Sequence, residues 1–259
     1  MPCISSKNSN YYRFPKDSLK KDISLERDSR TIKLLGKEKV KKLNSSYVTI
    51  CGLGGVGSYV AEALARTSIG NITIVDFDRV DESNMNRQLY ALSSTIGLFK
   101  ADVAEKRIKD INPDCNVIVR KVFLDDETIP EILSMKTDCI IDAIDTIKSK
   151  VDLLESSFKK EIYTVASMGA AERLNTENIE VCDISKTYSC SLARVIRTRL
   201  RKKGINKGIK CVFSPEKKEI PLSDKKNENE IKGLGSISYI PAIFGMKIAG
   251  EVINYLVER

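Results

Sequence analysis

The chain has 259 residues, enough to bury one large α/β core, and it shows no repetitive or fibrous pattern. Its 43 lysines and arginines outnumber its 35 aspartates and glutamates, and the net charge of +8 fits either a polyanionic partner or a merely lysine-rich composition. It contains no histidine, which excludes the commonest general base and the commonest metal ligand from its chemistry.

Residues 1–24 are predicted to form a mobile polar tail. They carry no apolar segment of the kind found in a signal peptide, so we expect a cytoplasmic protein. Residues 25–259 are predicted to form a single domain, with a core over about 46–168 and a C-terminal part over about 169–259.

Short β-rich runs alternate with helical patterns through the core. In chain order they are the strand YVTICG, a helix from about Val56, the strand NITIVDF, a helix from about Phe99 to Ile111, the strand NVIVRKV, a helix near ETIPEILSM, the strand TDCIIDAI, a further helix and the strand EIYTVAS. This alternation predicts an α/β fold with a doubly wound, Rossmann-like and mostly parallel sheet and helices on both faces.

The C-terminal part is predicted to add further strands and helices. The strand-like runs NIEVCDI and IKCVFS enclose the basic helix LARVIRTRLRKK, and the polar residues from about 215 to 233 form an exposed loop. The last run, GSISYIPAIFGMKIAGEVINYLV, is apolar, but Pro241, Lys247 and Glu251 interrupt it. We therefore expect a buried core helix or a dimer helix there, and no transmembrane segment.

Four glycines follow the first strand within six residues, at Gly52, Gly54, Gly55 and Gly57. Glycines at a strand-to-helix turn let the backbone approach a phosphate, and the helix that follows presents free N–H groups. Asp76 follows the second strand, where doubly wound folds place a carboxylate on ribose hydroxyls. A dinucleotide and ATP both supply such groups, so these residues alone leave the two ligands open.

Three polar residues downstream favour ATP. Asn84, Arg87 and Lys100 lie toward the same strand ends, and two cations with an amide suit a triphosphate better than a nicotinamide ring. Taken singly, each cation fits a solvated surface equally well.

The seven cysteines include no C-x-x-C pair, so no zinc site is expected. Several of them lie in apolar strand-like runs, which is typical of small buried hydrophobic residues in a reducing cytosol. These are Cys51, Cys139, Cys182 and Cys211.

The segments GLGGVGS, VDFDRVDESNMNRQ, GLFKADVAEKRIKDINP and DAIDTIKSK resemble the adenylating domain of the ThiF-type, ubiquitin-activating-like family. The resemblance implies ATP and Mg²⁺ as cofactors and adenylation of a carboxylate as the reaction. It assigns the glycine-loop amides, Arg87 and Lys100 to the phosphates, Asn84 to the terminal phosphate, Asp76 to the ribose and Asp145 to the magnesium ion.

Upstream, ERDSRTIKLLG resembles the family's N-terminal Arg-x-x-Arg helix, and the second arginine of that motif is Arg30. The resemblance implies a homodimer in which Arg30 reaches the ATP of the partner subunit. Arg30 would then be a catalytic residue together with Arg87 and Lys100.

From about Arg27 to the end, the chain resembles the tRNA threonylcarbamoyladenosine dehydratase branch of this family. The motifs are VASMGAAERLNTENIEVCDISKT, LARVIRTRLRKKGI, CVFSPE and GSISYIPAIFGMKIAGEVI. That branch implies ATP-dependent activation of the threonylcarbamoyl carboxylate on adenosine 37 of tRNA, followed by cyclisation with loss of water. Ser189 and Cys190 depart from the branch, which predicts an Asp-Pro pair at these positions.

The basic helix is a candidate tRNA contact. Arg194, Arg197 and Arg201 recur at helical spacing on one side, and Lys202 and Lys203 follow. Such a patch is predicted to bind the phosphate backbone without recognising sequence, and a solvated helix face is the alternative.

Two other functions stay open. An adenylyltransferase for a small ubiquitin-like sulfur-carrier protein needs a docking surface and often a thiol, for which Cys190, expected to be exposed, is the candidate. A nucleotide-binding module without chemistry is disfavoured, because Asn84, Arg87, Lys100 and Asp145 are all present.

Overall fold

Seven strands form one sheet in the order β3-β2-β1-β4-β5-β7-β6. The computed structural model describes residues 23–217 and 234–259. Neighbouring strands of this sheet pair in parallel, except that β6 runs antiparallel to β7. The strands are β1 (Tyr47–Cys51), β2 (Asn71–Val75), β3 (Asn116–Arg120), β4 (Cys139–Asp142), β5 (Tyr163–Ser167), β6 (Glu180–Asp183) and β7 (Lys210–Phe213).

Eight α-helices of the described residues connect or flank these strands, together with two short 3₁₀ turns, Glu82–Asn84 and Ile184–Lys186. The helices are α1 (Ile23–Leu35), α2 (Lys37–Ser45), α3 (Gly57–Arg66), α4 (Lys100–Ile111), α5 (Thr128–Ile132), α6 (Ile147–Lys159), α7 (Ser191–Lys202) and α8 (Tyr239–Glu258).

The two faces of the sheet are both covered, because successive residues of a strand point to opposite sides. Ile50 and Ile141 pack in the core on the side of α3, α4 and α8, whereas their neighbours Cys51 and Ile140 pack with residues of α5 and α6. The doubly wound, mostly parallel fold predicted from the sequence is therefore confirmed.

Helix α8 belongs to the hydrophobic core of the fold. By length and composition alone it could cross a membrane. It packs instead against α3, β5 and β7, and its buried residues include Phe244 and Ile248. A Cβ on Gly245 would lie 2.7 Å from the Val56 backbone oxygen, so the glycine allows α3 and α8 to touch. Of the two interpretations, the buried core helix agrees with the structure, and this apolar face gives no separate argument for a dimer.

Two predicted segments fall largely outside the described residues. The polar tail over 1–24 does so except for its last two residues, which belong to α1. The exposed loop over 215–233 does so except for 215–217. The division of the chain into a core and a C-terminal part stays a prediction.

Candidate active site

A cavity of about 620 Å³ opens at the carboxyl ends of β2, β1, β4 and β5. The connections that leave β1 and β4 run to opposite sides of the sheet, β1 toward β2 and β4 toward β5. Such a switch point between neighbouring parallel strands leaves a crevice, and open α/β sheets bind ligands there. The sheet order also sets the order of residues across the cavity, from the end of β2 to the end of β5.

The glycine loop between β1 and α3 forms the middle of the cavity floor. Gly52 has a φ of +91°, and a Cβ there would lie 2.7 Å from the Ala143 backbone oxygen. Gly54 and Gly55 line the cavity, and α3 begins without a side-chain cap on its free amides. Gly57 does not line it: a Cβ would lie only 1.8 Å from the Gly52 oxygen. This glycine therefore serves close packing of the helix on the loop.

Asp76 holds the glycine loop in place. Its Oδ2 accepts a hydrogen bond from the Leu53 backbone N–H at 2.6 Å, and its Oδ1 accepts one from the Asp78 N–H at 2.8 Å. Burial raises the pKa of this carboxyl above the usual range of an aspartate, although the two backbone donors and Lys100 oppose that shift. Each oxygen keeps a lone pair for a ligand hydroxyl.

Both predicted phosphate cations line the cavity. Lys100 begins α4, is 6% exposed, and its ammonium lies 2.9 Å from Oδ2 of Asp78. The Arg87 guanidinium donates from Nη1 to the Ser83 backbone oxygen at 2.8 Å. Sequence reasoning missed Asp78, although it stands two residues after Asp76 in the same VDFD segment.

Two residues from the prediction do not reach this cavity. The Asn84 side chain forms a capping box with Asp81 at the short 3₁₀ turn and is absent from the cavity lining. Arg30 is exposed on α1, which is tied down where β2 and β3 begin. The ties are a hydrogen bond from Ser68 to Asp28 and an ion pair of 3.6 Å between Arg27 and Asp114. Arg30 thus lies toward the sheet edge opposite its own cavity.

Asp145 lies in the loop after β4 and lines the cavity with an exposed carboxylate. A fully buried ion pair supports this loop, with the Lys150 ammonium 2.7 Å from Asp142 Oδ2. Oδ1 of Asp142 accepts the Ile144 N–H at 3.1 Å. Sequence reasoning missed this pair; an acid and a lysine eight residues apart in the apolar setting of CIIDAIDTIKSK were the available signal.

One end of the cavity, which we call the nucleotide end, has aromatic walls. Phe77 and Phe123 meet there edge to face, with ring centroids 5.1 Å apart. Besides these two rings, the nucleotide end comprises the glycine loop, Asp76, Asp78, Arg87 and Lys100. Both rings are partly exposed, so a flat base can lie against them. Neither aromatic residue was predicted as part of the site, although Phe77 ends one predicted strand and Phe123 directly follows another.

The other end, which we call the acceptor end, is built by residues 168–173 after β5 and residues 190–192 at the start of α7. The two segments meet, because a Cβ on Gly169 would lie 3.8 Å from the Leu192 Cβ. Cys190 is only 4% exposed, so the expectation of an exposed thiol is wrong. It is the N-cap residue of α7, and its side chain makes no capping hydrogen bond.

The four cysteines of the predicted strand-like runs are likewise poor nucleophiles. Cys51, Cys139 and Cys211 are fully buried, as predicted, whereas Cys182 is only half-buried. Burial raises the pKa of all four thiols. Within residues 23–217 and 234–259, no three His, Cys, Asp or Glu side chains are grouped so that they could hold a metal ion.

The predicted tRNA residues do not form one free surface. Arg194, Arg201 and Lys202 are exposed on or beside α7. Arg197 instead donates to the Thr187 backbone oxygen at 2.8 Å and to the Thr187 hydroxyl. Lys203 forms ion pairs with Glu155 and Asp152 on α6. Arg197 therefore ties α7 to the segment before it, and Lys203 ties the end of α7 to α6.

Comparison with known proteins adds a family and near full-length relatives. The ThiF family model matches residues 26–259. The tRNA threonylcarbamoyladenosine dehydratase of Bacillus subtilis is 40% identical over 243 residues, which cover 90% of this chain and 96% of that protein. The crystal structure of the Escherichia coli tRNA N6-threonylcarbamoyladenosine dehydratase with AMP has a TM-score of 0.85 at 34% identity and covers 92% of this chain and 96% of that one. A structure of that protein with ATP has a TM-score of 0.83 at 33% identity, with the same coverage.

Proposed function

The chain belongs to the ThiF family, and we propose that it is an ATP-dependent tRNA threonylcarbamoyladenosine dehydratase. The observation that carries this proposal is the similarity to dehydratases over nine-tenths of the chain and nearly all of their length. The ThiF family match over residues 26–259 also extends through the acceptor end and α7, the parts in which a substrate would be chosen. The cytoplasm, where reduced cysteines persist, is the proposed location.

The nucleotide end has the groups that ATP needs, in the order that ATP needs them. We place the adenine against Phe77 and Phe123, the ribose hydroxyls on Asp76 and the phosphates over the glycine loop. Arg87 and Lys100 border the phosphate position and offset the charge that grows on the departing pyrophosphate.

The reaction that fits this arrangement needs no histidine and no thiol. A carboxylate oxygen of the threonylcarbamoyl group attacks the α-phosphorus of ATP, the bond to pyrophosphate breaks, and an acyl adenylate forms. The carbamoyl group of the same side chain then attacks the activated carbonyl, loses a proton, and AMP departs with the former carboxylate oxygen. The net change in the nucleoside is loss of one water. The protein's part is to bring the two anionic groups together and to exclude bulk water.

Magnesium fits the residues of this cavity. Mg²⁺ is commonly bound by one or two carboxylates, with phosphate oxygens and waters completing the octahedron. Asp145 supplies one exposed carboxylate on the cavity wall. Bound with ATP, the ion would neutralise phosphate charge, and Asp145 would hold it.

We propose a homodimer in which Arg30 completes the ATP site of the partner subunit. Two observations support this proposal. Helix α1 is tied to residues that precede β2 and β3, at the end of the sheet away from its own cavity, and Arg30 is exposed on that helix. Several large apolar side chains between the 3₁₀ turn at Glu82–Asn84 and α4 are also exposed and suit a subunit contact. These are Met85, Leu92, Ile96 and Leu98.

The proposed tRNA contact is a subset of the predicted patch. Arg194, Arg201 and Lys202 are free of the internal bonds that occupy Arg197 and Lys203, so they are the cations available to phosphates.

One assay separates this proposal from the carrier-protein alternative. ATP–pyrophosphate exchange is measured with tRNA that carries threonylcarbamoyladenosine, with unmodified tRNA, and with a carrier protein that ends in Gly-Gly. We expect exchange with the modified tRNA only, because the carboxylate that is adenylated belongs to the modification. Exchange with the carrier protein alone would replace the proposal by the alternative.

A further inference from the structure

The acceptor end contains a buried cation that the nucleotide chemistry does not use. Arg173 lines the cavity and is only 9% exposed. Its Nη1 donates to the neighbouring Glu172 backbone oxygen at 2.9 Å, and within residues 23–217 and 234–259 its Nε has no hydrogen-bond partner. In the same part of the chain no carboxylate forms an ion pair with this guanidinium. A buried positive charge whose described partner is one neutral carbonyl is costly, which points to a ligand that completes it.

The backbone around Arg173 is held firmly. The Met168 N–H donates to the Val212 oxygen and the Glu172 N–H to the Gly235 oxygen, each at 2.8 Å. The Leu174 N–H donates to the Glu216 carboxylate at 3.0 and 3.1 Å. The guanidinium is therefore presented by a fixed loop, and its unused donors are positioned before a ligand arrives.

The start of α7 adds a second source of positive potential at the same place. Cys190 and Leu192 line the cavity, and the amides of the first turn lack a side-chain cap. The N-terminus of a twelve-residue helix attracts an anion, and here it faces a cavity that also contains Arg173.

We infer that Arg173 and the first turn of α7 form a site for the carboxylate of the threonylcarbamoyl group. The site lies after β5, whereas Asp76 follows β2 and the glycine loop follows β1, and Asp145 lies between them after β4. The cations for ATP and the cation for the substrate are therefore separate. A guanidinium fork matches a carboxylate with two parallel hydrogen bonds and orients it for attack on the α-phosphorus. It also offsets the repulsion between two anions that must meet. This inference rests on the proposed function and names the substrate contact within it.

The test compares two RNAs that differ only at the carboxyl group. Both are anticodon stem-loops; one carries threonylcarbamoyladenosine and the other its carboxamide, in which the carboxylate is replaced by a neutral amide. Their affinities are measured by anisotropy with an ATP analogue whose α,β-bridging oxygen is a methylene, so that no adenylate forms. We expect the wild type to prefer the acid by about tenfold or more. Arg173→Met should bring the ratio near one, and Arg173→Lys should retain part of it.

Two controls separate binding from folding. Lys106→Gln removes one positive charge from the exposed side of α4, and its acid-to-amide ratio should equal that of the wild type. The melting temperature of Arg173→Met should be no lower than that of the wild type, since the variant loses an incompletely bonded buried charge. If the methionine variant does not fold, Arg173→Lys decides the question: a reduced but measurable preference for the acid supports the carboxylate contact, and a ratio equal to that of the wild type overturns it.

The remaining outcomes each overturn the inference or the proposed function. An unchanged ratio in Arg173→Met would overturn the carboxylate contact while leaving the proposed function intact, provided that the wild type still converts modified tRNA. Equal weakening of acid, amide and unmodified RNA would assign Arg173 to an RNA phosphate. A wild type that neither binds nor converts modified RNA, but still binds ATP, would overturn the proposed function and this inference together.

Discussion

The two ends of the cavity hold their charged groups in different ways. At the nucleotide end, Lys100 lies 2.9 Å from Asp78, and Asp76 accepts two backbone hydrogen bonds. At the acceptor end, Arg173 is nine-tenths buried, and its Nε has no hydrogen-bond partner in the part of the chain that the structure describes. At the nucleotide end both carboxylates thus have partners within the chain, whereas at the acceptor end we propose that the substrate supplies the counter-charge of Arg173. Four further predictions test or sharpen this contrast, in order of expected effect.

The largest effect is expected from the phosphate cations. Lys100→Ala or Arg87→Ala should lower ATP–pyrophosphate exchange by about a hundredfold or more, because each removes charge stabilisation that grows as pyrophosphate leaves. Lys106→Ala, on the exposed side of the same α4 helix, is the matched control and should exchange normally. Near-wild-type exchange in either cavity variant would contradict the assignment of the nucleotide end to ATP.

The next prediction tests whether the nucleotide end of one subunit needs Arg30 of the other subunit. An Arg30→Ala subunit mixed with a Lys100→Ala subunit should recover roughly a quarter of wild-type activity, since random exchange makes about half of the molecules heterodimers with one intact site each. Turnover is measured after mass spectrometry has confirmed exchange. Mixtures no more active than the two parents would show that Arg30 does not act across a dimer.

A smaller effect concerns the pH dependence of ATP binding. Because burial raises the pKa of Asp76, the carboxyl protonates at a higher pH than an ordinary aspartate, and ATP affinity should fall there as the medium is acidified. The contribution of Asp76 to the free energy of unfolding changes with pH in the opposite direction. The native state binds this proton more readily than the unfolded state, so that contribution is largest at acid pH and declines as pH rises through the native pKa of Asp76.

Asp76→Asn should remove both pH dependences. ATP titrations and urea unfolding across the acid range, in wild type and variant, measure them separately. An acid decline in ATP affinity that persists unchanged in Asp76→Asn would assign it to another group.

The smallest effect is expected from the thiol at the acceptor end. Cys190→Ala should retain exchange and turnover within about twofold and lose about 1 kcal/mol of stability, because the residue is a buried packing group and cyclisation needs no thioester. A folded but inactive Cys190→Ala protein would favour covalent transfer to a carrier and would make the acceptor end a nucleophile site.

Local sequence patterns predicted several residues that line the nucleotide end. The glycine run and Asp76 stand at the ends of predicted strands and Lys100 at the start of a predicted helix, and parallel strands bring their carboxyl ends to one edge of the sheet. Asn84 and Gly57 were predicted with them but do not line the cavity. Asn84 stands where its side chain can satisfy a nearby backbone amide, and it caps its own turn. Gly57 is needed because helix and loop backbones touch.

What the sequence by itself determined is the doubly wound sheet, the glycine loop and several residues that line the cavity, because strand alternation and turn chemistry are properties of neighbouring residues. Only the tertiary structure decided that Cys190 is buried, that Arg30 lies away from its own cavity and that Arg173 lies within it. Each of these depends on segments distant in the chain: the loop after β5 meets α7, and α1 is tied to residues before β2 and β3. Burial and charge pairing follow from such contacts, and no local pattern records them.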